Sequence, residues 1–129
     1  MNKYYLLLAA PIFLMSCEGN TNREYNITNN SQDSLNLYIH NNYYDQLDSF
    51  VLAPQTSMEV LETNQRGGSD YSTDIGSTFT QFLIKNEAGD SCIKSHLIDA
   101  NWTKEVIQVR KAPSQWEHDY EYVVNDSDF

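Results

Sequence analysis

Alternation with a period of two constrains this chain more than any other feature. In Leu35-Asn36-Leu37-Tyr38-Ile39-His40, apolar residues alternate with polar or amphipathic ones. The stretch Trp116-Glu117-His118-Asp119-Tyr120-Glu121-Tyr122-Val123-Val124 repeats the pattern with acids set between the aromatic residues. Successive side chains of a strand point to opposite faces, so this spacing suits a strand with one face in a core and the other in water. A helix needs apolar residues every three or four positions, and no such run here exceeds two turns.

The same reading extends along the chain. Tyr25 and Ile27 share a face, and Phe50–Leu52 make a short strand that stops before Pro54. Met58 and Val60 begin another, and 79–85, 92–97 and 105–110 add three more. Asn29–Asp33 and Asn86–Asp90 are turns, with Gly89 suited to a positive φ. The segment 41–48 reads as loop, and 63–77 as a long polar loop holding three of the five glycines. Asp99 opens one helical turn through Trp102. Many short strands at near-regular spacing predict an all-β fold: a single antiparallel β-sandwich of about seven to eight strands, with a small β-barrel as the alternative.

The N-terminus carries a separate message. Lys3 precedes a mostly apolar stretch from Tyr4 to Met15, and Ser16 sets a small residue before Cys17. A positive start, an apolar run of this length and a small residue at the cut describe a secretory signal peptide. A transmembrane helix needs about 20 apolar residues, and Pro11 interrupts this run. Leu14-Met15-Ser16-Cys17 resembles the lipobox of bacterial lipoproteins. That resemblance covers residues 1–17 and implies that Cys17 is diacylated on its thiol and becomes the first residue after residues 1–16 are removed. Two or three acyl chains anchor stably where one holds only marginally. Residues 17–24, with the polar run EGNTNR, then read as the lipidated Cys and a flexible tether, 25–125 as the sandwich domain and 126–129 as a solvated acidic tail. The layout also resembles small lipoproteins of Bacteroidetes-type bacteria that join a lipobox to an immunoglobulin-like sandwich and end in a Trp- and Tyr-rich strand, here 116–124. The alternative for Cys17 is an ordinary secreted protein in which it bridges Cys92.

Charge narrows the partners. The formal net charge is −10, and removal of residues 1–16 takes away Lys3 and no acid. Nucleic acid and anionic headgroups both repel such a body, so no nucleic-acid role is expected. If Cys17 is acylated, Cys92 is an unpaired strand cysteine with no base or histidine beside it, a poor setting for a nucleophile.

Few residues combine into chemistry. Asp70, Ser72 and Asp74 place oxygens at alternate positions, a weak calcium candidate, but glycine falls at the seventh position and Gln81 stands at the twelfth, where a bidentate acid is needed. His40, His96 and His118 show no local metal spacing, and His118 and Asp119 point to opposite faces of a strand. No metal site, cofactor or catalytic group is assigned. Tyr43 and Tyr44, with Asp70, Tyr71 and Asp74 in the long loop, form the candidate binding loops, since tyrosine rings stack on sugars or protein surfaces.

The expectation is a membrane-anchored, non-enzymatic lipoprotein of the cell envelope, in the outer membrane on its periplasmic or surface face. Its sandwich meets an envelope protein or glycan. An inhibitor or immunity protein against a basic toxin or lytic enzyme is the first alternative, and a small hydrolase assembled from scattered His, Ser and Asp residues is the second.

Overall fold

A computed structural model describes residues 18–70 and 73–129, so residues 1–16, read as a signal peptide, and Cys17, Tyr71 and Ser72 lie outside the described residues. Seven strands form: β1 (Asn20–Asn29), β2 (Leu35–Asn41), β3 (Gln46–Leu52), β4 (Thr56–Arg66), β5 (Phe79–Lys85), β6 (Trp102–Lys111) and β7 (Ser114–Val124). One helical turn, α1 (Ile75–Thr78), precedes β5. The strands divide into a four-stranded sheet, β4-β1-β7-β6, and a three-stranded sheet, β3-β2-β5. This is a β-sandwich and not a closed barrel. Its β2–β5 and β6–β7 pairs correspond to the B–E and F–G pairs of an immunoglobulin constant-type sandwich. The order differs from that arrangement at three strands, because β1 lies between β4 and β7 instead of beside β2, β3 lies beside β2, and β4 lies beside β1. β1 and β7 run parallel, with Asn20 opposite Gln115 and Asn29 opposite Val124.

The alternation explains the core. Tyr25 and Ile27 of β1 and Tyr120, Tyr122 and Val124 of β7 face Leu35, Leu37 and Ile39 of β2 and Ile84 of β5. Tyr25 stacks on Tyr120 at 4.7 Å between ring centroids, and Trp102 lies 6.1 Å from Phe79 and 5.0 Å from Tyr122. Such aromatic contacts add about 0.5–1.5 kcal/mol each beyond the area they bury. At one point the period breaks. Tyr25 pairs with Leu61 but Asn26 with Glu59, so β4 holds an extra residue there and both Val60 and Leu61 are buried.

Five expectations change, the first being that residues 63–66 of the presumed loop 63–77 belong to β4. Residues 20–24 are not a tether but the first half of β1, hydrogen-bonded between β4 and β7. A strand with neighbours on both sides satisfies its backbone whatever its composition, and Thr21 is fully buried. The segment 92–97 is not a strand. The carbonyls of Lys94, Ser95 and His96 accept from the side chains of Tyr122 (2.6 Å), Asn101 (2.7 Å) and Trp102 (2.8 Å) instead of from a ladder. Residues 46–48, read as loop, begin β3, an edge strand whose apolar Leu47 and Val51 are exposed, so its alternation does not sort apolar residues inward and polar ones outward. The C-terminal residues are not a free tail. Asp126 accepts the Gln32 amide at 2.9 Å, the Asp128 carbonyl accepts the Ile93 amide at 2.8 Å, and Phe129 packs against the core.

Candidate functional site

Between the two sheets, near the start of β1, the sandwich edge opens into a cleft of about 290 Å³. Arg23 and Tyr25 come from β1, Thr63 and Gln65 from β4, Asn42 and Tyr43 from the β2–β3 turn, and Thr73, Ser77 and Thr78 from the segment around α1. Each wall is built locally. Asn41 holds the β2–β3 turn by accepting the Tyr44 amide at 2.9 Å and donating to the Gln46 carbonyl at 3.3 Å. Asp45 adopts a positive φ of 50° there, which aspartate tolerates better than most residues. From this turn, Tyr43 donates to the Asn64 carbonyl at 2.9 Å and Tyr44 to the Glu62 carbonyl at 3.2 Å. The two tyrosines thereby strap one sheet to the other and occupy carbonyls that edge strand β4 would otherwise leave open. On the opposite side, Asp74 caps α1 by accepting the Gly76 amide at 3.0 Å, and the Thr73 amide donates to the Tyr120 hydroxyl at 2.8 Å.

Arg23 sets the chemistry of this cleft. Its Nη1 donates to Gln65 Oε1 at 3.0 Å, while its Nε is buried with no hydrogen-bond partner among the described residues. A buried, unused guanidinium N–H costs stability unless something accepts from it. The described ion pairs, His40–Asp45 and Lys104–Asp99, do not include Arg23. Beside it, the Tyr25 hydroxyl lies 3.5 Å from that of Thr78, and burial pushes its pKa upward, so it acts as a neutral hydroxyl. The arrangement offers a guanidinium with an unused N–H, several hydroxyls and a tyrosine ring, which together suit an oxygen-rich anion.

The sequence-predicted site residues separate. Tyr43 lines the cleft; Tyr44 packs edge-on against it, with centroids 4.8 Å apart, but is not part of the lining. Asp70 is exposed, Asp74 is committed to its cap, and Tyr71 and Ser72 lie outside the described residues. No group of three or more His, Cys, Asp or Glu able to hold a metal occurs among the described residues. The three imidazoles lie apart: His40 meets Thr80 and Asp45, His96 stacks on Phe82 at 4.8 Å, and buried His118 contacts the Ser69 carbonyl at 2.7 Å. Cys92 is half-buried with a free thiol, whose pKa burial raises. Arg23 was hidden inside the presumed tether. Its period-two relation to Tyr25 and Ile27 was the available signal that it shares their face.

The outer face of the four-stranded sheet is acidic. Glu62, Glu24, Asp119 and Glu105 form one cross-strand row, Glu59, Asn26, Glu121 and Thr103 the next, and Glu117 stands opposite Asn22. Burial, then the charges of Asp119, Glu59, Glu62 and Glu117, raise the Glu24 pKa above its ordinary value of 4.5. Folding therefore favours the protonated form. The Glu24 contribution is fully present below the ordinary value and is lost as pH rises through the folded one. Glu24→Gln should stabilise the protein at pH 7 in low salt by about 0.5 kcal/mol or less, because these charges are solvent-screened. The gain should vanish near pH 4 in thermal melts; an equal gain there would remove the electrostatic explanation.

No helix among the described residues is long and apolar enough to cross a membrane. No family model, curated protein or solved structure matches the chain, so its fold and site are characterised by their own geometry.

Proposed function

We propose that this protein is a lipid-anchored binding module of a bacterial cell envelope, held through Cys17 in the outer membrane, and that its edge cleft takes an acidic glycan. The reading rests above all on the buried Nε of Arg23, left without a partner in a cleft rich in hydroxyls. A sugar carboxylate would accept from the Arg23 guanidinium. Its ring hydroxyls would exchange hydrogen bonds with Thr63, Thr78 and Asn42, and its apolar face would lie on Tyr43. The protein acts by binding, and no residue is assigned a catalytic step.

Titration calorimetry with uronic-acid oligosaccharides and their neutral counterparts tests this. Arg23→Ala should weaken acidic-glycan binding by about 10–100-fold, the range expected for hydrogen bonds to a charged group. Arg23→Lys, which keeps the charge but loses the planar edge, should fall between. Equal binding of neutral sugars would sink the acidic class, and silence across the panel would sink the glycan reading. Anchoring is tested separately with a fatty-acid analogue fed to cells: wild-type protein should take up label and Cys17→Ala should not.

The acidic face supports a second reading, an inhibitor or immunity protein that neutralises a basic toxin or lytic enzyme. That partner would bind the row of Glu24, Glu62, Glu105 and Asp119 with steep salt dependence. Salt-insensitive binding to a cationic enzyme would count against it.

A further inference from the structure

The cations of this acidic molecule are placed unevenly. Arg66 lies opposite Asn20 at the start of β1, Arg110 opposite Gln115, and Lys111 opposite Ser114, so all three sit at one end of the four-stranded sheet. All three are exposed. The acids in the neighbouring chain are Glu18 and Asp70. The turns at the other end carry Asp33, Glu87, Asp90, Asp126 and Asp128, with Lys85 and Lys94 nearby.

That cationic end is also where the chain enters the fold, and it enters without slack. The Gly19 carbonyl accepts the Gly67 amide at 2.6 Å, and Thr21 Oγ1 donates to the Gly67 carbonyl at 2.7 Å. Gly19, two residues after Cys17, is therefore already fixed to the fold. Two residues span at most about 7 Å, close to the roughly 8 Å over which charges are felt at physiological ionic strength.

We propose that this end is a headgroup-docking surface, on which Arg66, Arg110 and Lys111 contact the phosphates of anionic lipid and hold the sandwich upright on the bilayer. The inference rests on acylation of Cys17. A guanidinium matches a phosphate with paired N–H donors, and an ammonium adds a mobile point charge. The acidic face is compatible with this pose. Its nearest carboxylate, Glu117, lies opposite Asn22, two residues farther along β1 than Asn20, and Glu24 lies two beyond that. At about 3.3 Å per residue each step takes the carboxylates farther from the phosphates. Net charge repels anionic lipid from the molecule as a whole, and at this end the sign reverses.

The test uses the lipidated full chain in vesicles of phosphatidylcholine, alone or with an equal part of phosphatidylglycerol, doped with a dansyl-headgroup lipid. Of the two tryptophans, Trp116 lies opposite Thr21, near the docking end, and Trp102 opposite Tyr122, far from it, so Trp116 is the donor whose energy transfer responds most to docking. Transfer should be about twofold higher on the anionic vesicles in low salt, and equal on both in high salt. The triple variant R66E/R110E/K111E should abolish the difference, and R66Q/R110Q/K111Q should reduce it. Their near-ultraviolet dichroism should match wild type, since all three positions are exposed. Protein that carries the fatty-acid label but shows the same transfer on both vesicles overturns the docking surface alone. Protein that carries no label overturns the anchor, and docking falls with it.

Discussion

Tyr122→Ala should lower the melting temperature by about 15–20 °C, following a loss of about 4 kcal/mol. Tyr122 is fully buried, with Trp102 at 5.0 Å and Phe82 at 5.2 Å between ring centroids. Its hydroxyl donates to the Lys94 carbonyl at 2.6 Å, and the Lys94 ammonium lies 5.0 Å from its ring. Truncation removes a large ring that two neighbouring rings cannot refill, and it takes away one of the hydrogen bonds that hold the irregular segment 92–98. Tyr122→Phe isolates the hydroxyl and should cost about 1–3 kcal/mol, because the Lys94 carbonyl loses its donor. Thermal melts followed by near-ultraviolet dichroism provide the comparison. A drop below about 5 °C for the alanine variant would mean that the aromatic cluster collapses into the space, contrary to its packing here.

The second large effect is expected at Asn29, at the end of β1. Its Nδ2 donates to the carbonyls of Asp33 (2.8 Å), Leu52 (3.1 Å) and Ala53 (3.2 Å), and its Oδ1 accepts from the amide and hydroxyl of Ser31. One fully buried side chain thus joins β1 to the turn after it and to the β3–β4 turn. Asn29→Ala should destabilise by about 3 kcal/mol, since several buried groups lose partners at once. Asn29→Asp keeps the acceptors but turns a carboxylate toward three carbonyls, and should cost at least as much at neutral pH. Urea denaturation at constant m-value would verify both, whereas an alanine variant within about 1 kcal/mol of wild type would show that water replaces the amide.

How much of this was legible depended on where each element finds its partners. The strands around Leu35–Ile39 and Trp116–Val124 declare themselves because one face is apolar and the other wet, a local property of the sequence. The irregular run 92–98 does not, because its carbonyls are taken by Asn101, Trp102 and Tyr122, and local pattern says nothing of distant donors. β1 was half lost for the opposite reason. Its first residues are polar, yet β4 and β7 on either side satisfy their backbone. The extra residue at Val60–Leu61 further hid the phase of β4. Of the cleft, only Tyr43 was singled out in advance. Arg23, Thr63 and Thr78 come together through tertiary folding, and period two marks the face that Arg23 shares with Tyr25 but not its neighbours across the cleft.

The parallel pairing of β1 with β7 bears on the order in which the molecule can fold. A chain delivered N-terminus first can close β1 against β4 once Arg66 has emerged, but the other side of β1 waits for residues 115–124. Pairing across so long a stretch of chain is slow, because loop closure must come before the contacts that repay it. Until the last strand arrives, β1 keeps an unsatisfied edge, and the rings of Tyr120 and Tyr122 are missing from the core. The growing chain can therefore pair β1 with β4 early but completes its core only when β7 arrives.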